Sequence, residues 1–143
     1  THRRLLAQTA LQLIADGKNQ KAINILKKAD VEIPAYNVTL DYMSGGLDMA
    51  RGWLLTGQKA KGKEYVEAVW KNAHQYLDYY LSLTNDRFLQ SQNDCIRQIM
   101  IMQSVCDVAG MVSPQLQKSY EKQLNALYTL YRGRGGSMPQ GNQ

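Results

Sequence analysis

The sequence predicts an all-α fold, a right-handed stack of three helical hairpins with about six helices. Three observations predict it. Apolar residues recur at three- and four-residue spacing along nearly the whole chain, the period of a helix face. No run alternates apolar and polar residues between tight turns, as paired strands would. Gly17 and Gly57 stand just past two periodic segments, where a helix ends on a left-handed residue.

Helix 1 is expected over about 3–16, with Leu6, Ala10 and Leu13 on one face and Gly17 as its stop. Helix 2 follows over about 20–30, with Asn19 as N-cap. Pro34 bars its continuation, and 31–40 reads as an extended linker rich in Val, Ile and Thr. Helix 3 is expected over about 41–56. Helix 4 is long, about 59–83, with Val66, Val69, Ala73, Leu77 and Tyr80 as its buried stripe. The Thr84-Asn85-Asp86 turn starts helix 5, expected to be continuous to Ala109 and stopped by Gly110. Its run Ile99-Met100-Ile101-Met102 is apolar all round, which makes it the most enclosed element. Ser113 as N-cap and Pro114 in the first turn start helix 6, with the stripe Leu116, Tyr120, Leu124, Leu127 and Tyr131. Residues 1–132 make one domain, and 133–143, without apolar periodicity, read as a disordered tail.

Composition narrows the function. The chain is 44% hydrophobic and 20% charged, enough apolar content to bury a core. Its 17 Lys+Arg against 12 Asp+Glu give a net charge of +5, too sparse for a dedicated nucleic-acid binder. Uncharged stretches such as 98–106 are far shorter than the roughly 18 apolar residues of a membrane span. The chain opens Thr-His-Arg-Arg with no initiator Met and no signal peptide, and reads as a piece of a longer polypeptide. Cys95 and Cys106 lie eleven residues apart, roughly 16 Å along one helix, too far to form a disulfide. They read as small buried residues, compatible with cytoplasm or periplasm.

Helix pairs 1–2 and 3–4 repeat one pattern. Gly17 and Gly57 end a first helix, and Ala22 and Gly62 follow five residues later, each offset being forty (57−17 and 62−22). This resembles the tetratricopeptide repeat, a helix–turn–helix unit of about 34 residues with small residues where its helices cross. Leu6, Ala10, Leu13, Ala22, Leu26, Ala29 and Pro34 match it in the first pair, with Thr9 departing. Met49, Ala50, Trp53, Gly62 and Val66 match it in the second, where Gly46, Val69 and His74 depart. Helices 5 and 6 read as a closing pair.

A narrower resemblance rests on Leu5 to Pro34 with its Ala10-x-x-Leu13-x-x-x-Gly17-Lys18 core, on Asp41-Tyr42-Met43, and on Tyr79-Tyr80-Leu81-Ser82-Leu83. These stretches resemble the C-terminal domain of an uncharacterised family of large bacteroidete-type membrane proteins, whose N-terminal part resembles protein O-mannosyltransferases. The resemblance implies a tetratricopeptide-like domain on the periplasmic side of a bacterial inner membrane, following a glycosyltransferase-like region. It carries over no catalytic residue. The alternative is a free-standing, cytoplasmic, peptide-binding adaptor.

No catalytic, metal or cofactor set stands out. His2 and His74 are the only histidines, and there is no Cys-x-x-Cys, His-Glu-x-x-His or phosphate loop. Gly133-Arg134-Gly135-Gly136 follows a helix rather than joining a strand to one, and Asn37-Val38-Thr39 matches the common N-glycosylation triplet. The expected function is therefore non-catalytic protein interaction or intramolecular docking, with a protein or peptide partner that includes the membrane part of the same polypeptide.

Three sets of residues are candidates for contact. Tetratricopeptide geometry puts Arg4, Ala7, Leu11 and Ile14, then Ser44, Leu47, Arg51, Leu54 and Leu55, on a concave groove, unless helix 5 fills it. Tyr76, Tyr79 and Tyr80 form an aromatic platform suited to sugars or peptides, unless Tyr76 and Tyr80 pack on helix 5. Lys59, Lys61 and Lys63 crowd the start of helix 4, where cations oppose the helix dipole. They would meet an anionic membrane surface at about 1 kcal/mol each, or else form a solvated loop.

Overall fold

Glycine punctuation sets the topology. A computed structural model of the chain describes residues 2–35 and 38–138, and these are all-α, without a strand among the described residues. The helices are α1 (His2–Ala15), α2 (Asn19–Glu32), α3 (Gly46–Leu55), α4 (Lys59–Leu81), α5 (Asn85–Gln90), α6 (Gln92–Val112) and α7 (Pro114–Gly133). Gly17 (φ +76°) and Gly57 (φ +82°) turn the chain with the same bonds forty residues apart. Gly17 N–H donates to Ile14 O and Lys18 N–H to Leu13 O; Gly57 N–H donates to Leu54 O and Gln58 N–H to Trp53 O. This is the double closure by which a left-handed residue satisfies a helix's last carbonyls. Gly135 (φ +94°) closes α7 in the same way.

Three hairpins result, α1–α2, α3–α4 and α6–α7. The second stacks on the first chiefly through α1 and α3, and the third on the second chiefly through α4 and α6. Small residues permit the crossings. Ala7, Ala10, Ala22 and Ala29 are fully buried between α1 and its neighbours, and Leu54 lies against Gly62, where a Cβ would stand 2.4 Å from Leu54 Cγ. The expected stripes of α4 and α7 are buried or half-buried throughout. Trp70 on α4 stacks on Tyr120 of α7 at 4.0 Å and 5°, which burial accompanies by pushing the Tyr120 hydroxyl up to about 12.

Several boundaries differ from expectation, each for a local reason. Asn19 is the first residue of α2 rather than its cap, and Lys18 precedes it without a side-chain cap. α3 starts at Gly46, because the Asp41 carboxylate accepts from Ser44 N–H (2.7 Å) and holds 41–45 as a turn ending on Gly45 at φ +88°. The expected continuous fifth helix is two. Ser91 donates its hydroxyl to Phe88 O (2.8 Å), and this side-chain competition interrupts the ladder between α5 and α6. Gly110 does not stop α6. It makes room for Gln117 of α7, whose amide donates to Cys106 O (3.1 Å).

The expected start of a disordered tail at Gly133 also needs correction. Arg134 donates to Leu81 O (2.6 Å) and to Asn85 Oδ1 (3.0 Å), and its guanidinium lies 4.4 Å from the Phe88 ring. Tyr131 O–H donates to Ser137 O, and Ser137 N–H to Gln92 Oε1. Residues 134–138 therefore strap α7 to α5 and α6; 139–143 lie outside the described residues. α6 contributes more buried residues than any other helix. By length and composition it is apolar enough to cross a membrane, and half of it is enclosed in this core.

Candidate functional site

α6 sits closely on α4 and only lightly on α3, and the turn that precedes α3 stands across from its outer face. One face of α6, with Asn93, Ile96, Arg97, Met100, Ser104 and Asp107, forms one wall of a groove of about 610 Å³. The opposite wall is the 41–45 turn, which presents Tyr42 (41% exposed) and Met43 (61%). Met100, 48% exposed, departs from the enclosure expected of the Ile99–Met102 run, whose other three residues are buried. The lining is apolar at Met43, Ile96 and Met100, flexible at the two methionines, and the rim is polar, with Arg97 and Asp107 of opposite charge.

A buried arginine holds the turn in place. Arg3, fully buried, donates from Nη1 to Thr39 O (2.8 Å) and Ser44 Oγ (2.9 Å). Its Nη2 donates to Ile33 O (2.9 Å) and Val38 O (2.5 Å). Burial pulls its pKa below the ordinary arginine value, an effect opposed by Tyr65, Asp41 and Asp30 nearby. Three of the four acceptors are main-chain carbonyls, so no carboxylate signals this site in the sequence. The other unforeseen network ties α2 to α4. Tyr65 O–H donates to Asp30 Oδ1, and Lys61 Nζ sits 2.5 Å from Asp30 Oδ2. Burial, then the Asp30 carboxylate, pushes the Tyr65 hydroxyl well up. The Trp53 indole N–H is buried beside it without an acceptor in bonding geometry among the described residues.

The groove residues expected from tetratricopeptide geometry are dispersed. Ala7, Ser44 and Leu47 are core, while Leu11, Ile14 and Leu54 are half-buried. Arg4 is exposed, Arg51 pairs with Asp48 at 3.3 Å, and Leu55 stays 50% exposed. None of these lines the groove between the 41–45 turn and α6. Of the lysines at the start of α4, Lys61 pairs with Asp30, Lys63 lies 3.9 Å from Glu67, and Lys59 is exposed. His74 pairs with Asp78 (Nδ1 to Oδ2, 2.8 Å) on one face of α4. Asn37 lies outside the described residues.

The tyrosines do come together. Tyr76 and Tyr80 stack at 6.5 Å and 25°, and Tyr79 meets Tyr80 edge-on at 5.5 Å. Tyr80 is half-buried, whereas Tyr76 (49%) and Tyr79 (58%) both face solvent. They border a depression of about 440 Å³ with Asn72 and Gln75.

No cluster of three His, Cys, Asp or Glu suited to a metal occurs among the described residues. Both cysteines are buried on α6 and unbridged, and burial pushes the Cys106 thiol up to about 11. A thiolate-selective disulfide reagent at about pH 8 is therefore expected to leave both thiols unmodified until urea unfolds the chain. Rapid labelling of the native protein would contradict the packing of α6. No protein-family model, curated protein or solved structure matches the chain.

Proposed function

We propose that this is a non-catalytic docking domain that seats an apolar polypeptide segment in the groove between the 41–45 turn and α6. The observation that carries this reading is the groove itself, about 610 Å³ walled by Tyr42, Met43, Ile96 and Met100. That volume lies within the range of roughly 300–1,000 Å³ typical of binding clefts. Methionines adapt their shape to an apolar side chain at little strain, and a tyrosine adds a flat face with a polar tip. The Arg97 and Asp107 rim supplies orientation rather than chemistry.

The resemblance of residues 5–83 to the soluble end of glycosyltransferase-like membrane proteins supports a larger membrane polypeptide as the context. In that context the segment belongs to the same chain or to a partner bound beside it. An anionic membrane surface is the weaker candidate, because Lys61 and Lys63 already face carboxylates at the start of α4.

The test places a photo-crosslinking residue at position 100 of the full-length protein in its source cells, with an equivalent at Lys122 on the exposed face of α7 as control. Position 100 is expected to yield defined crosslinked peptides from one polypeptide segment. Crosslinks no more frequent or specific than those from position 122 would remove the reading.

A further inference from the structure

We propose that the outer face of α4 binds a neutral oligosaccharide of about three sugar units. This site is separate from the groove beside the 41–45 turn and does not depend on it. Two hollows meet on α4. The depression of about 440 Å³ beside Tyr76 and Tyr79 shares Asn72 and Gln75 with a second of about 230 Å³, bounded by Thr39 and Ala68. Together they form one trough along α4 from Ala68 to Tyr79. Eleven residues of helix rise about 16 Å, the length of about three pyranose rings.

The lining matches the chemistry of a sugar. A pyranose has an apolar C–H face and a rim of hydroxyls that both donate and accept. Tyr76 and Tyr79 offer exposed ring faces for the first, and Tyr80 behind them fixes both rings by contact. Asn72 and Gln75 offer amides, which also donate and accept, for the second. The amides of Asn72 and Gln75 and the hydroxyls of Tyr76 and Tyr79 hold no hydrogen bond among the described residues. A ligand therefore displaces water there and breaks no protein bond. Lys71 is the one charged residue in the lining and sits at the far end from Tyr79, so uncharged amides and rings make up the rest of the contact surface, as a neutral ligand requires.

Titrating the ¹⁵N-labelled 143-residue chain with mannotriose, cellotriose or chitotriose up to about 10 mM, the range of weak recognition, tests this. At least one sugar is expected to give saturable shifts at the backbone amides of 72–79 and 39–40. Tyr79→Ala should weaken that binding about tenfold, the share of one aromatic face. Leu130→Ala removes an equally exposed side chain on α7 (58% each) and should leave it unchanged. A native spectrum outside 72–80 verifies that Tyr79→Ala is folded. The proposal is overturned if no sugar shifts the trough, if the shifts lie elsewhere, or if Tyr79→Ala binds as tightly as the parent. It is also overturned if a decaproline peptide, the other ligand of aromatic troughs, moves the same amides at lower concentration than any sugar.

Discussion

Replacing Arg3 with methionine is expected to lower the unfolding free energy by about 3–5 kcal/mol, a loss typical of breaking a buried polar network. The side chain is fully enclosed and makes four hydrogen bonds, to Ile33 O, Val38 O, Thr39 O and Ser44 Oγ. Methionine fills much of the volume but donates nothing. Each carbonyl left without a donor costs about 1–3 kcal/mol if it stays buried. The losses do not add fully, because Ser44 O–H already donates to Thr39 O (2.6 Å) and the linker is only part-buried. Lysine at the same position should recover about half, since one ammonium cannot span acceptors that the planar guanidinium reaches from two nitrogens. Urea unfolding at constant m-value measures the difference. Arg132→Met on the exposed end of α7 supplies the baseline. A loss below about 1 kcal/mol for Arg3→Met would show that the carbonyl cage is not formed in solution. The effect should reach the groove too, because the same Ser44 anchors the turn that presents Tyr42 and Met43.

Local signals were legible in the sequence, and geometric ones were not. Gly17, Gly57 and Ser113-Pro114 act on backbone within a turn of themselves, so the hairpin turns and the start of α7 follow from them directly. Ser113 accepts from Leu116 N–H at 3.1 Å, as an N-cap should. The all-α stack of hairpins follows from the apolar period for the same reason. Arg3 and Arg4, by contrast, are adjacent arginines separated by a rotation about the helix. Only the linker carbonyls decide that Arg3 turns inward, and carbonyls have no letter in a sequence. The break at Ser91 depends on a hydroxyl choosing its own helix's backbone over solvent. The groove between the 41–45 turn and α6 depends on how far α6 leans toward α4, a property of packed volumes that no single residue announces. Gly45-Gly46 was its nearest signal: two glycines after Asp41 mark a tight turn, and the turn is what exposes Tyr42 and Met43. The tyrosine platform was legible as a cluster, but its exposure was not, since Tyr76 and Tyr80 share a helix face and only Tyr80 is half-buried.

Gly45→Ala is expected to cost at least about 3 kcal/mol, whereas Gly17→Ala should cost about 1–2, the usual penalty of a left-handed L-residue. The two positions have similar dihedrals, φ +88° and +76°, so conformational strain is common to both. Their surroundings differ. Nothing lies within 4 Å of a Cβ at Gly17, while at Gly45 it would stand 2.6 Å from Arg4 Cα and 2.9 Å from Arg4 N. Those are main-chain atoms of α1 and cannot swing aside as a side chain would, so α1 itself must retreat from the start of α3. That retreat pulls Arg3, one residue away, off Ser44 and the linker. The double variant Gly45→Ala/Arg3→Met should then be less damaged than the sum of the singles by at least about 1 kcal/mol, because both act on one network. Gly17→Ala/Arg3→Met, with its sites at opposite ends of α1, should be additive. If Gly45→Ala costs no more than Gly17→Ala, or if its cycle with Arg3 is additive, then α1 does not approach the turn closely enough for Arg3 to hold it.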